Sequence, residues 1–153
     1  MAAEIERKFL VKEGWRPQTE GVHIAQGYLS SVPERTVRVR IKGEKGFLTV
    51  KGRNEGTRRA EFEYEIPLLD AEAMLALCEQ PLIEKRRFLE SYGGFTWEVD
   101  VFAGANEGLV VAEIELPTED AAFIKPHWIG AEVSGDVRYY NSSLIHHPYR
   151  EWK

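Results

Sequence analysis

A mainly β chain, α+β with few helices, is predicted by three observations. Apolar and charged residues alternate in run after run along the chain. Turn residues such as Gly43-Glu44-Lys45-Gly46 and Gly93-Gly94 separate those runs, as they do in hairpins. Only the stretch after Asp70 clearly shifts to helical spacing. Strands are expected over 4–11, 24–30, 36–42, 47–51, 59–66, 83–92, 95–102 and 109–116. Residues 14–21, with Trp15 and Pro17, form a loop. In the helical stretch Asp70 is the expected N-cap. Ala71, Met74, Leu75 and Cys78 share a face until Pro81 stops it. A second short helix is expected after Thr118, and a last helical turn after Asn141.

The 153 residues fit a single domain, 1–153, able to bury a core. A net charge of -5, with no basic arm, argues against nucleic acid as a partner. The single Cys78 cannot form an internal disulfide. Acids stand near the N-terminus where a secretory leader needs a basic and then an apolar run. No apolar stretch is long enough to span a membrane. A cytoplasmic protein is the expectation.

The charged side of the strands carries both signs. On one parity lie Glu4, Glu6, Glu61, Glu63, Glu65, Glu98, Asp100, Glu113 and Glu115, with Lys8, Arg38, Arg40, Lys42, Lys51, Lys85 and Arg87. The other parity holds Ile5, Phe9, Val37, Val39, Ile41, Leu48, Val50, Phe62, Tyr64, Phe88, Trp97, Val99 and Ile114. An open sheet with one solvated face would explain any one strand. Ser, Thr, Asn and Gln are scarce on the charged side, so the sheet is instead expected to close with its charges inward, as a barrel or tunnel. Helices, aromatic loops or a second subunit would then cover the apolar outside.

Glu4-Ile5-Glu6-Arg7-Lys8 and Glu113-Ile114-Glu115 each place two carboxylates on one strand face. If the two strands meet, the acids form a cluster of hard oxygen ligands suited to Mg²⁺ or Mn²⁺. Arg forks and Lys ammoniums suit phosphate oxygens. One such cation about 4 Å from a phosphate oxygen is worth roughly 4 kcal/mol at an effective dielectric near 20. Acids and bases left merely to neutralise each other would make a costly interior. A metal between carboxylates and phosphate gives both sets a use.

In these motifs the chain resembles the CYTH group of the triphosphate tunnel metalloenzymes, over nearly its whole length. Glu4-Ile5-Glu6-Arg7-Lys8 fits the family's Glu-x-Glu-x-Lys signature, Arg38-Val39-Arg40 its Arg-x-Arg strand, and Lys51 the lysine that follows. Glu61-Phe62-Glu63-Tyr64-Glu65, Lys85-Arg86-Arg87, Asp100 and Glu113-Ile114-Glu115 fit the later strands in order. The resemblance implies a closed eight-stranded antiparallel tunnel, a divalent metal, a triphosphate substrate and a homodimer. It implies that Glu4, Glu6, Glu113 and Glu115 bind metal and that Lys8, Arg38, Arg40, Lys51, Lys85 and Arg87 hold phosphates and serve catalysis. Glu61, Glu63 and Asp100 become acids of the substrate site.

Among triphosphates, inorganic triphosphate is favoured. The His-Phe pair that family adenylyl cyclases carry before the signature is missing, and Thr36 stands where thiamine triphosphatases of the vertebrate type stack an aromatic ring. Nucleoside triphosphatase, class IV-type adenylyl cyclase and thiamine triphosphatase are the alternatives. A non-catalytic polyphosphate binder is the remoter one, which would need the bases but not the paired acids. His146 and His147 diverge and are read as no metal pair. Whether Tyr28, Tyr139 and Tyr140 reach a tunnel mouth is not decided by the sequence. Arg53, in a turn, and Arg86, of outward parity, stand outside the site.

Overall fold

The computed structural model describes residues 3–152. Nine strands form one antiparallel sheet: β1 (Ala3–Val11), β2 (Val22–Ser30), β3 (Arg35–Lys42), β4 (Lys45–Gly52), β5 (Arg58–Ile66), β6 (Ile83–Tyr92), β7 (Phe95–Phe102), β8 (Val110–Glu115) and β9 (Ile129–Glu132). Their order is β5-β4-β3-β2-β6-β7-β8-β1, and β1 pairs back to β5 through Ala3–Ile5 against Arg58–Ala60. The eight strands therefore close into the expected barrel. The closing edge of β1 is shared, because Phe9 and Val11 pair with β9, a strand that periodicity did not disclose.

Closure puts the charged parity inside. Register sets Glu6 opposite Glu115, Lys8 opposite Glu113, Arg38 opposite Thr49, and Arg87 opposite Asp100, so these side chains share the inner face. The apolar outer face is covered in two places. Ile5, Phe9, Trp97, Val99 and Ile114 pack under Trp15, Phe123 and Trp128 from the loops. Trp97 is fully buried there, edge-on to Phe9 at 5.6 Å and to Phe123 at 5.8 Å. On the other side, helix α1 (Leu68–Leu75) lays Ala71, Leu75 and the following Cys78 on Val39 and Leu48. The close approach needs small residues. A Cβ on Gly27 would sit 2.6 Å from Leu82 and 2.7 Å from Cys78, and one on Gly46 would sit 2.6 Å from the Ala71 Cβ. Phe62 and Tyr64, on the outer face of β5, stay exposed on the single chain.

A further cluster lies inside the barrel. Leu10, Tyr28, Ile83, Phe102 and Val111 share the inward parity, and Leu144, Ile145 and Tyr139 of the C-terminal segment pack on them. This segment, with the turn of helix α2 (Asn141–Leu144) expected after Asn141, closes one end of the tunnel.

Two helix expectations are corrected. Helix α1 starts before Asp70, because Pro67 ends β5 and its carbonyl already accepts the Ala71 N–H at 3.0 Å. Asp70 sits in the first turn rather than capping it. After Thr118 no helix forms among the described residues. The Thr118 hydroxyl binds Asp120, one turn forms at Ala121, and Phe123 leaves to pack on Phe9 and Trp97. No helix among the described residues is long and apolar enough to cross a membrane.

Trp97→Ala is expected to cost about 3–5 kcal/mol in denaturant unfolding. Trp97→Phe should cost much less, because the indole N–H it removes has no partner among the described residues.

Candidate active site

The interior of the barrel holds a cavity of about 280 Å³. Among the described residues, seven acids (Glu4, Glu6, Glu61, Glu63, Glu98, Glu113, Glu115) and seven bases (Lys8, Arg38, Arg40, Lys42, Lys51, Arg59, Arg87) line it. Such a balance leaves neither sign free across the whole cavity, so what matters is where each sign is concentrated.

The acids concentrate on β1 and β8. Glu6 and Glu115 stand directly opposite one another, a like-charge pair that a bare sheet would disfavour. Burial, with Glu113 and Glu4 nearby, pushes the Glu6 carboxyl well above its usual range, and Glu6 and Glu113 share a side-chain hydrogen bond. Burial also raises Glu115, helped by Glu4, Glu61 and Glu98. Glu113 moves the other way: burial opposes its charge, but Lys8, the bond to Glu6 and Arg87 outweigh that. The described residues contain no group of three or more His, Cys, Asp or Glu side chains already gathered as ligands. The donor set is nevertheless all carboxylate oxygen: Lys51 meets Glu4, and Lys8 and Arg87 face Glu113, but Glu6 and Glu115 form no ion pair among the described residues, and the crowded set fits a hard divalent cation.

The bases concentrate on β3, β4 and β6. Arg38 and Arg40 are buried side by side, and both reach Glu63 Oε1, at 3.6 and 3.2 Å. Thr49 donates to the same oxygen at 2.7 Å. Glu63 lies below its usual range: burial alone would raise it, and the Thr49 hydroxyl with Arg40 and Arg38 overcome that. Arg40 is lowered to about 10 by burial and by Arg38 and Arg87, and it stays charged at neutral pH. Lys51 donates to Glu4 at 2.7 Å and lies 3.4 Å from Glu61. Lys8 donates to the Tyr139 carbonyl at 3.1 Å, which ties the C-terminal segment to the signature strand.

Two expected site residues do not line the cavity. Lys85 and Asp100 point inward but are almost wholly buried in its wall, paired at 2.7 Å. Asp100 also accepts from the Nε and Nη2 of Arg87, at 2.8 and 2.9 Å. The reason is depth. Lys85 stands opposite Ile24 and Phe102, in the layer that the apolar plug fills. The partners respond unequally. Asp100 is held below the usual carboxylate range, since Lys85 and Arg87 outweigh its burial. Lys85 is lowered to about 8 because burial and Arg87 outweigh Asp100. Asp100 therefore orients Arg87, and Arg87 carries the charge into the cavity.

Several lining groups escaped the sequence reading. Arg59 has the inward parity of Glu61 and opens the expected strand 59–66, yet it was not counted among the charged side. Val133, Ser134, Gly135, Asn141 and Ser142 come from the C-terminal segment, whose position no strand period fixes. Tyr28 and Tyr140 reach the cavity; Tyr139 is buried in the plug. Arg53 meets Glu34 on the surface, and Arg86 donates outside to the Gly21 carbonyl. His146 bonds Ser31 and Glu79 rather than His147.

A closed barrel with carboxylates on one wall and arginines and lysines on the other defines a charged-tunnel protein built for a small polyanion. The chain belongs to the CYTH family: the CYTH domain model matches residues 2–149. It is 52% identical, over all of its length and 99% of the relative's, to an inorganic triphosphatase of Acetivibrio thermocellus. It is 38% identical, over 92% of its length and 95% of the relative's, to an inorganic triphosphatase of Nitrosomonas europaea. A crystal structure of an inorganic triphosphatase overlays with a TM-score of 0.68 at 37% identity, covering 92% of this chain and 96% of the other.

Asp100→Asn is expected to cost about 3–5 kcal/mol near neutral pH, because it leaves Lys85 and Arg87 short of a buried anion. The lowered Asp100 value means this stabilisation is present above the unfolded carboxyl pKa and is lost as pH falls. The gap between the wild type and Asp100→Asn should narrow by about 1 kcal/mol between pH 6 and pH 3 in urea unfolding.

Proposed function

We propose that this protein hydrolyses inorganic triphosphate to pyrophosphate and phosphate in its tunnel, with Mg²⁺ or Mn²⁺ as cofactor. The observation that carries this reading is the division of one cavity into a carboxylate wall and an arginine–lysine wall. The names of the two relatives support it. The proposal includes a cytoplasmic location and a homodimer.

Glu4, Glu6, Glu113 and Glu115 would hold the metal. A divalent ion bound there would supply positive charge at the phosphate and a water of lowered pKa. Arg38, Arg40, Lys51 and Arg87 would take phosphate oxygens, each releasing a carboxylate that it holds in the free protein. Lys8, between Glu113 and the Tyr139 carbonyl, would set a phosphate against the acid wall. Glu61 and Glu63 keep Lys51 and the two arginines aimed inward until substrate displaces them. Lys85 and Asp100 would act through Arg87. Charge spread over the transferring group is then met by fixed donors rather than by solvent.

Tyr28 and Tyr140 are aromatic rings on the cavity wall, which makes nucleoside triphosphates the second reading. A panel of inorganic triphosphate, ATP, thiamine triphosphate, pyrophosphate and long polyphosphate, with cyclic AMP also assayed, separates the substrates. Phosphate release from triphosphate should require added Mg²⁺ or Mn²⁺ and stop with chelator; no turnover of any triphosphate would overturn the enzyme reading. Glu6→Gln or Glu115→Gln should abolish most turnover, with partial recovery at high metal. Arg40→Ala should lower kcat/KM by about 10²-fold while the metal requirement stays that of the wild type. Metal titrations and steady-state kinetics on the same variants check this division.

A further inference from the structure

Gln26 is fully buried, and neither its carboxamide oxygen nor its nitrogen has a hydrogen-bond partner among the described residues. Buried amides are nearly always paired, so an orphan of this kind calls for a cause. It sits on the inner face of β2, directly opposite Arg40 on β3 and Ile83 on β6. Arg40 carries a matching orphan: its Nε–H is buried and unpaired among the described residues, while its Nη2 donates to Glu63 at 3.2 Å. Directly opposed residues of an antiparallel pair have Cβ atoms about 5 Å apart, and both side chains are long enough to meet.

We infer that Gln26 is a positioning residue for Arg40: when an anionic phosphate draws the Arg40 guanidinium off Glu63, the Gln26 carboxamide oxygen accepts the Arg40 Nε–H and fixes the fork toward the phosphate. This rests on the triphosphate reading above. A neutral acceptor suits the task. It fills the hydrogen-bonding need of Nε without cancelling the charge that the phosphate uses, which Glu63 does in the free protein. The arrangement leaves the carboxamide oxygen unpaired without ligand and pairs it on binding, so its contribution falls on the loaded state.

The test uses Gln26→Met, near in volume to glutamine and without polar atoms, together with Arg40→Ala and the double variant. Calorimetry reads the affinity for inorganic triphosphate without divalent metal, so that no turnover occurs, and urea unfolding is followed on the same proteins. Gln26→Met should raise the dissociation constant about tenfold, as expected for a charge-assisted hydrogen bond, and have no further effect once Arg40 is alanine. Its unfolding midpoint should rise, because an unpaired buried amide is replaced by an apolar chain. An equal loss of affinity in the Arg40→Ala background, an unchanged affinity, or a lower midpoint would overturn the assignment. Turnover by the wild type with Mg²⁺ is read separately. A wild type that binds triphosphate without hydrolysing it overturns the functional reading and leaves Gln26 to the binding cycle. A wild type that binds none overturns both.

Discussion

The interior charge is the constraint on which the rest of this structure depends. A barrel that buries arginines, lysines and glutamates together must give most of them partners, because an unpaired buried charge is costly. The register of the strands supplies those partners: Lys51 meets Glu61 across β4 and β5, Arg87 meets Asp100 across β6 and β7, and Lys8 faces Glu113 across β1 and β8. The pairs are graded by depth. Lys85 and Asp100 are sealed into the wall, whereas the side chains of Glu63 and Glu98 are 36% and 41% exposed. The sealed pair holds the architecture, and the open ones stay in contact with the cavity.

Having spent its inner face on charge, the barrel builds its main apolar cores outside. Trp15, Phe123 and Trp128 cover β1, β7 and β8, while α1 covers β2, β3 and β4. The outer face is thereby the stabilising surface, and the inner one is stabilised mainly by electrostatic pairing and by the plug. A slip of one residue in any strand would exchange the two faces. Correct register is therefore worth both the apolar contacts and the charge pairing at once.

Glu6 and Glu115 are the part of the carboxylate wall that stays unbalanced. Glu6 and Glu115 oppose each other, and both are pushed toward the protonated form. Strain of this sort persists at functional sites when surrounding structure holds it in place, and here β1 and β8 are locked by the Phe9, Trp97 and Ile114 layer behind them. The rigid backing keeps the acids crowded.

Strand parity determined most of this from the residues alone. Alternation fixes which side chains share a face, and the mixture of signs on that face implies closure. Glu4, Glu6, Lys8, Arg38, Arg40, Lys51, Glu61, Glu63, Arg87, Glu113 and Glu115 were legible for that reason, and all of them line the cavity. Depth was not legible, because parity is the same at the centre of a barrel and at its plugged end; only packing shows Lys85 and Asp100 sealed behind Arg87. Nor was the plug, since Tyr140, Asn141 and Ser142 reach the tunnel through long-range contacts that leave no local period. β9 pairs only briefly with β1, and the helix after Thr118 gave way to the burial of Phe123. Local pattern governs the direction of a side chain, while the surrounding chain decides whether it meets solvent, substrate or another buried group.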